Sequence, residues 1–137
     1  MYELEELILG ESRETLDIEG LEPHQQILKR MIEQTRVRID VISRSLDRRL
    51  FDQGEVVTAM RTVALSSRHA RIRMLIMNTG ALVRQEHRLV NLVKRLPTYF
   101  SIRMPSRDHK NFNASIVVAD KTGYVYRPHA EIGRAHV

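Results

Sequence analysis

The stretch FNASIVVADKTGYVYRP, residues 112–128, decides the fold of this 137-residue chain. Residues 114–119 are mostly apolar, as in a strand that is buried in a sheet, and residues 124–127 again have strand composition. Between them, residues 120–123 (DKTG) have the composition of a tight turn, in which Gly123 can adopt a positive φ. The stretch therefore predicts an antiparallel β-hairpin.

Upstream of this hairpin, the spacing of apolar residues changes repeatedly between the helical and the strand period. Three helices are predicted: the first begins at Pro23, the second covers roughly residues 55–66, and the third extends from the turn at residues 78–80 to Pro97. The predicted strands are residues 37–43, 71–77 and 99–104. Strands that alternate with helices predict right-handed parallel crossovers, and the hairpin adds antiparallel pairing. The sequence thus predicts an α/β fold with a mixed sheet.

Length and composition limit the class of protein. With 42% hydrophobic residues the chain can bury one modest core, and with no cysteine it can form neither disulfides nor thiolate metal sites. It contains no apolar run of about 18 residues, and its acidic N-terminus differs from a secretion signal. We therefore expect a soluble cytoplasmic protein without membrane association.

The net charge of +5 is unevenly distributed along the chain. Residues 1–22, the acidic leader, carry eight acidic residues and one arginine, whereas residues 23–137 carry nine acidic and 21 basic residues. The leader is either a solubilising segment that precedes the domain or an acidic segment that covers a basic face and competes with polyanions.

The last seven residues, EIGRAHV (131–137), show no periodic continuity with the preceding stretch. They match the peptide that one reading frame of a widely used DNA-sequencing adapter encodes. We therefore expect the domain to span residues 23–130, to be truncated at its C-terminus, and to be followed by adapter read-through that does not belong to the fold.

The order of elements and the closing strand resemble one half of a phospholipase D-like unit. Each half in that superfamily ends with the signature H-x-K-x-x-x-x-D, whose spacing falls here on Asn113, Ser115 and Asp120. The G-S-x-N element that follows falls on residues 127–130, so only the aspartate of the pattern is kept. The segments SRSLDRRLFD, HRLVNLVKRL and ADKTGYVYRP are also similar to an uncharacterised bacterial family that occurs beside or fused to GNAT-type acetyltransferases.

The resemblance implies a phospholipase D-like half-unit, consisting of a helix, then strand-helix-strand-helix-strand, and a C-terminal hairpin. In the superfamily the signature histidine attacks phosphorus and the lysine binds the phosphate. Asn113 is no nucleophile for phosphorus, and Ser115 supplies no positive charge to a transition state. Asp120, without a histidine to orient, is interpreted as the first residue of the hairpin turn. We therefore expect a catalytically inactive domain without catalytic residues, metal or cofactor.

Histidine and arginine provide the remaining candidates. His87 lies at the edge of the apolar stripe of the third helix, which is typical either of a core-edge histidine bonded to a carbonyl or carboxylate or of a functional site. His109 is either a solvated loop residue or a displaced catalytic histidine, although Asn111 stands where the signature needs lysine. Arginine predominates over lysine, and guanidinium groups match phosphate oxygens well. The candidate anion-binding residues are Arg127, at the mouth of the site in the superfamily, with His87 and Arg88.

Three functions remain open. The first is a protein-interaction or scaffolding module that docks on an acetyltransferase or on a second copy of itself through the third predicted strand or the hairpin edge. The second is a phosphate- or nucleic-acid-binding module that uses the basic face and Arg127. The third is an active phosphodiesterase that uses His109 or His87. We predict the first, with the second as the alternative.

Overall fold

A computed structural model describes residues 6–84, 86–109, 112–129 and 132–137. Its elements, in chain order, are β1 (Thr15–Glu19), α1 (Leu21–Gln34), β2 (Arg38–Ser43), α2 (Arg48–Phe51), α3 (Gly54–Ser66), β3 (Arg71–Ile76), α4 (Gly80–Arg84), α5 (Arg88–Arg95), β4 (Phe100–Arg103), a 3-10 turn (Arg107–His109), β5 (Ser115–Ala119), β6 (Gly123–His129) and β7 (Ile132–His136). The predicted α/β class with a mixed sheet is confirmed.

The seven strands form one sheet in the order β1-β7-β6-β5-β2-β3-β4. The pairs β2–β3 and β3–β4 are parallel, and the other neighbours are antiparallel. The parallel pairs are joined through α3 and α5, as the alternation of periods predicts. The predicted hairpin is β5–β6, in which Ser115 pairs with Arg127 and Ala119 pairs with Gly123.

The helices pack together in one layer on one face of the sheet. Contacts join α1 to α2 and α3, and α3 to α5. Alternate residues of each strand point to the same side of the sheet. The residues that point to this helix layer are buried. Ile39, Ile72 and Phe51 belong to this core and are almost fully buried. On the other face, alternate residues of the same strands are half-buried or exposed.

The sheet includes residues from both segments that the sequence analysis set apart from the domain. In the acidic leader, Leu16 and Ile18 of β1 are buried and alternate with exposed residues. The acidic leader therefore contains an amphipathic strand. In the last seven residues, β7 pairs with both β1 and β6. The boundaries predicted at residues 22/23 and 130/131 are therefore not boundaries of the sheet. The adapter origin of residues 131–137 stays a prediction.

Two local predictions are wrong. The third predicted helix is divided into α4 and α5, because His87 adopts an extended conformation and its side chain accepts a hydrogen bond from the backbone N–H of Leu89. In the hairpin turn, Asp120 and Lys121 adopt the positive φ that was expected for Gly123. Gly123 is required instead for space, since a Cβ there would lie 2.8 Å from the backbone carbonyl oxygen of His136.

Candidate anion-binding groove

A groove opens where β2 ends, on the helix side of the sheet, and we call it the arginine groove. It has a volume of about 480 Å³. It is lined by Ser43, Arg44, Ser45, Leu46, Asp47, Arg48, Arg49, Leu82, Asn113, Ala114, Arg127 and Pro128. The carboxyl end of a parallel strand is where open α/β sheets bind ligands. The location therefore fits a binding site.

Three neighbouring strands build the floor of this groove at one level of the sheet. Ser115 of β5 pairs with Ser43 of β2 on one side and with Arg127 of β6 on the other. Both serines are buried, and the Ser43 hydroxyl donates to the backbone carbonyl of Ser45 at 3.1 Å. Ser115 thus lies beside Arg127 in the sheet.

An ion pair fixes Arg127 at the groove. Its Nη1 donates to Asp47 Oδ2 at 3.0 Å, and the side chains of Arg127 and Asp47 are only 11% and 19% exposed. Asp47 also caps α2 by accepting from the backbone N–H of Arg49, and it binds the Arg49 guanidinium at 3.0 Å. Burial raises the pKa of Asp47, but the hydrogen bonds from Arg49 and Arg127 outweigh burial, so its pKa lies below the usual value. Asp47 is therefore ionised at neutral pH and orients both arginines.

The groove carries more positive than negative charge. Arg44 is exposed, and its Nη1 donates to the neutral side-chain oxygen of Asn113 at 3.0 Å. Arg48 binds Asp52 at 3.0 Å and the backbone carbonyl of Glu86, while its buried Nη2 has no hydrogen-bond partner among the described residues. The lining thus holds four arginines and one carboxylate, which attracts anions.

Asp120 lies far from the groove, at the opposite end of β5. Asp120 and Asn113 are seven residue steps apart, which corresponds to roughly 20 Å of extended chain. Its carboxylate accepts the backbone N–H groups of Arg36, Val37 and Arg38 at 2.7, 3.0 and 2.8 Å. In this position Asp120 joins the hairpin turn to the beginning of β2.

His87 and Arg88 do not line the groove. His87 is 1% exposed, and because its Nδ1 accepts from Leu89, its Nε2–H donates to the Leu46 carbonyl at 3.3 Å. Burial lowers the pKa of His87, despite the opposing effects of the Asp52 charge and the Leu46 carbonyl. Arg88 is exposed, and its backbone N–H donates to Asp52 at 3.0 Å. His87 and Arg88 thus hydrogen-bond to the segment 46–52 but do not line the groove. Of the three candidates, only Arg127 faces the groove.

Two other positions named in the sequence analysis, His109 and Ala130, lie partly or wholly outside the described residues. The backbone of His109 belongs to the 3-10 turn, but its side chain lies outside the described residues, as does Ala130. Sequence reasoning missed Arg44, Asp47 and Arg49 as groove residues. The available signal was Asp47 before the arginine pair 48–49, which is typical of a helix N-cap. No periodicity indicated that this turn faces the hairpin.

Comparison with known proteins connects the chain to one family and to solved structures. Residues 20–135 match the family described as a domain of unknown function, DUF7931. Among solved structures, TrmBL2, described as an archaeal chromatin protein with a novel mode of DNA binding, aligns with a TM-score of 0.62 at 8% identity over 91% of this chain and 45% of its own. NucT from Helicobacter pylori aligns with a TM-score of 0.60 at 10% identity over 90% of this chain and 86% of its own.

These matches have different weight. At such low identity, the solved structures show a shared fold alone. This chain spans less than half of the TrmBL2 chain. No curated protein matches the sequence. In the described part of the chain, no helix combines the length and the apolar character of a membrane span.

Proposed function

The chain belongs to the DUF7931 family, and on that premise we propose that it is a non-catalytic, phospholipase D-like half-unit that binds nucleic-acid phosphate in the arginine groove. One observation carries the proposal. Arg44, Arg49 and Arg127 converge on a groove whose lining holds a single carboxylate. Four arginines of the chain are thus gathered in one concave place.

Phosphate is the anion that this arrangement fits best. Guanidinium groups bind two phosphate oxygens at once, and arginine retains its charge at every physiological pH. Asp47 holds Arg127 and Arg49 in place before any ligand arrives, so binding costs less side-chain entropy than it would for free arginines. Among the described residues, Arg44 donates to the neutral amide oxygen of Asn113, so its charge is not neutralised there.

We propose no catalysis because the described lining of the groove holds no nucleophile paired with a general base. Its described lining contains no histidine, lysine or cysteine. Asp47, the lining carboxylate, is held ionised by two arginines and is a poor general acid. Asn113 and Ser115 stand at the positions of the signature histidine and lysine. Phosphoryl transfer therefore lacks its nucleophile, and the arginines of the groove provide positive charge but no replacement for it.

Nucleic acid is chosen as the phosphate source for two reasons. The part of the chain after residue 22 is strongly basic, which favours polyanions over single phosphates. In addition, TrmBL2, which shares the fold, is described as binding DNA. A link to an acetyltransferase stays a proposal that the groove does not address.

Fluorescence anisotropy tests this function. Labelled single- and double-stranded DNA and RNA are titrated with the full chain at several salt concentrations. We expect Arg44→Ala and Arg127→Ala each to weaken binding about tenfold and to reduce the salt slope by about one. The matched control is Arg61→Ala, an exposed arginine of α3 that does not line the groove.

Arg44→Ala is the decisive variant, because Arg44 is exposed and its loss leaves the Asp47–Arg127 ion pair intact. Equal weakening by Arg61→Ala would show that binding follows total charge rather than the groove. Binding that is unaffected by Arg44→Ala and Arg127→Ala would refute the proposal.

A further inference from the structure

The face of the sheet opposite the helices carries an ordered row of side chains. Neighbouring strands place one outward residue each at the same level, in the order Asp17, Arg134, Tyr126, Ile116, Ile42, Leu75, Arg103. The row is apolar in its centre, where Ile42 and Tyr126 are 37% and 38% exposed. We call these seven residues the open-face row. Helices α1, α2, α3 and α5 contribute their buried residues to the core on the opposite face of the sheet.

The two ends of the open-face row carry opposite charges. Asp17 is at the β1 edge, with its side chain 90% exposed, and Arg103 is at the β4 edge and is also exposed. Ile116 lies at the midpoint. If a second copy is rotated by 180° about an axis parallel to the strands, the order reverses and β1 of one copy lies over β4 of the other. Asp17 of each copy then faces Arg103 of the other, which gives two such pairs, while Ile116 meets its own equivalent.

From this self-complementarity we infer that the open face is an isologous interface between two copies of this chain, packed sheet on sheet. Tyr126 of one copy packs on Ile42 of the other, Ile116 packs on its own equivalent, and Leu75 lies against the aliphatic stem of Arg134. Asp17 and Arg103 remain at the rim, where water can still reach them.

The charges at the centre of the face argue against a polyanion as the occupant. Asp40 binds Arg38 at 3.1 Å and Arg73 at 2.7 Å, which partly neutralises the central arginines within one copy. A protein surface with an apolar stripe and mixed charges fits it better.

The size of the face sets the expected affinity. Seven strands at about 4.8 Å spacing and five residues at about 3.3 Å give roughly 500 Å² for each copy. The total of about 1,000 Å² is at the lower limit of specific interfaces. We therefore expect a monomer–dimer equilibrium in the micromolar range.

Sedimentation velocity across a concentration series tests the interface on the full chain. We expect the wild-type chain to dimerise, Ile42→Lys to abolish the dimer, and Leu65→Lys, an exposed leucine of the helix layer, to leave it unchanged. Asp17→Arg and Arg103→Asp should each weaken the dimer about tenfold, because each places like charges together twice. The double variant Asp17→Arg/Arg103→Asp should restore it.

Each alternative outcome overturns the inference. A chain that stays monomeric at all concentrations has no such interface. A dimer that tolerates Ile42→Lys uses another surface, and a dimer whose charge reversals are not mutually compensating uses another orientation. If Ile42→Lys instead abolishes oligonucleotide binding by a monomer, the face binds nucleic acid. Far-ultraviolet circular dichroism of each variant separates these results from loss of folding.

Discussion

Replacement of Asp120 is expected to destabilise the fold without affecting the groove. The Asp120 carboxylate accepts three backbone N–H groups, at Arg36, Val37 and Arg38, which would otherwise lack partners at the start of β2. Hydrogen bonds to a charged acceptor contribute about 1.5–3 kcal/mol each when buried. Here water can reach the first two donors, which are exposed, so we take about 1 kcal/mol for each bond and about 3 kcal/mol in total.

Two substitutions distinguish the parts of this contribution. Asp120→Ala removes all three bonds and also places alanine at a φ of 50°, where aspartate and asparagine are better tolerated. Asp120→Asn keeps one acceptor oxygen and the favourable backbone, so it should cost about half as much. Urea denaturation gives the free energy of unfolding of each variant. A loss below about 1 kcal/mol for Asp120→Ala, or weakened oligonucleotide binding by the folded Asp120→Asn, would refute a purely structural role.

Three further predictions address other parts of the molecule. The pKa of His87 is lowered in the folded chain, so the unfolded chain binds protons more readily and the free energy of unfolding should fall as pH decreases through about 6.5. His87→Asn, which can still cap α5, should reduce this dependence of the unfolding free energy on pH, as measured by urea titrations at several pH values. The double variant Asn113→His/Ser115→Lys should give no phosphodiesterase turnover with a chromogenic diester, because position 115 is buried beside Arg127; turnover would show that the rest of the site persists. Removal of residues 131–137 should cost about 2–4 kcal/mol through loss of β7, whereas unchanged thermal stability would contradict the strand and favour a foreign origin of the segment.

The regular part of the fold was predictable because its signals are local. The alternation in residues 37–43 and 71–77 and the turn in residues 120–123 each follow from side-chain spacing within a few residues. The strand β1 within the acidic leader was not predicted, for a physical reason. The outward side of β1 is polar and charged, and its inward side contributes only Leu16 and Ile18. Such a short edge strand has too few apolar residues to be distinguished from a polar segment.

The groove was predictable only in part because it depends on contacts distant in sequence. Arg127 could be placed by the resemblance to the superfamily, but its partner Asp47 is 80 residues away. The division of the third helix at His87 likewise depends on the Leu46 carbonyl, which is 41 residues away. No local pattern indicates such pairings. The sequence analysis therefore assigned no function to the segment 46–52, although its residues position the arginines of the groove.

The two proposed surfaces use adjacent residues of the same three strands. Ser43, Ser115 and Arg127 point toward the helices, whereas the residues beside them, Ile42, Ile116 and Tyr126, point to the open face. This arrangement follows from the period of two residues in a strand, which assigns each neighbour to the opposite side. Substitutions on one surface therefore need not touch the other. If Ile42→Lys removes dimerisation but preserves phosphate binding, and Arg44→Ala does the reverse, a single sheet carries two independent functions on its two faces.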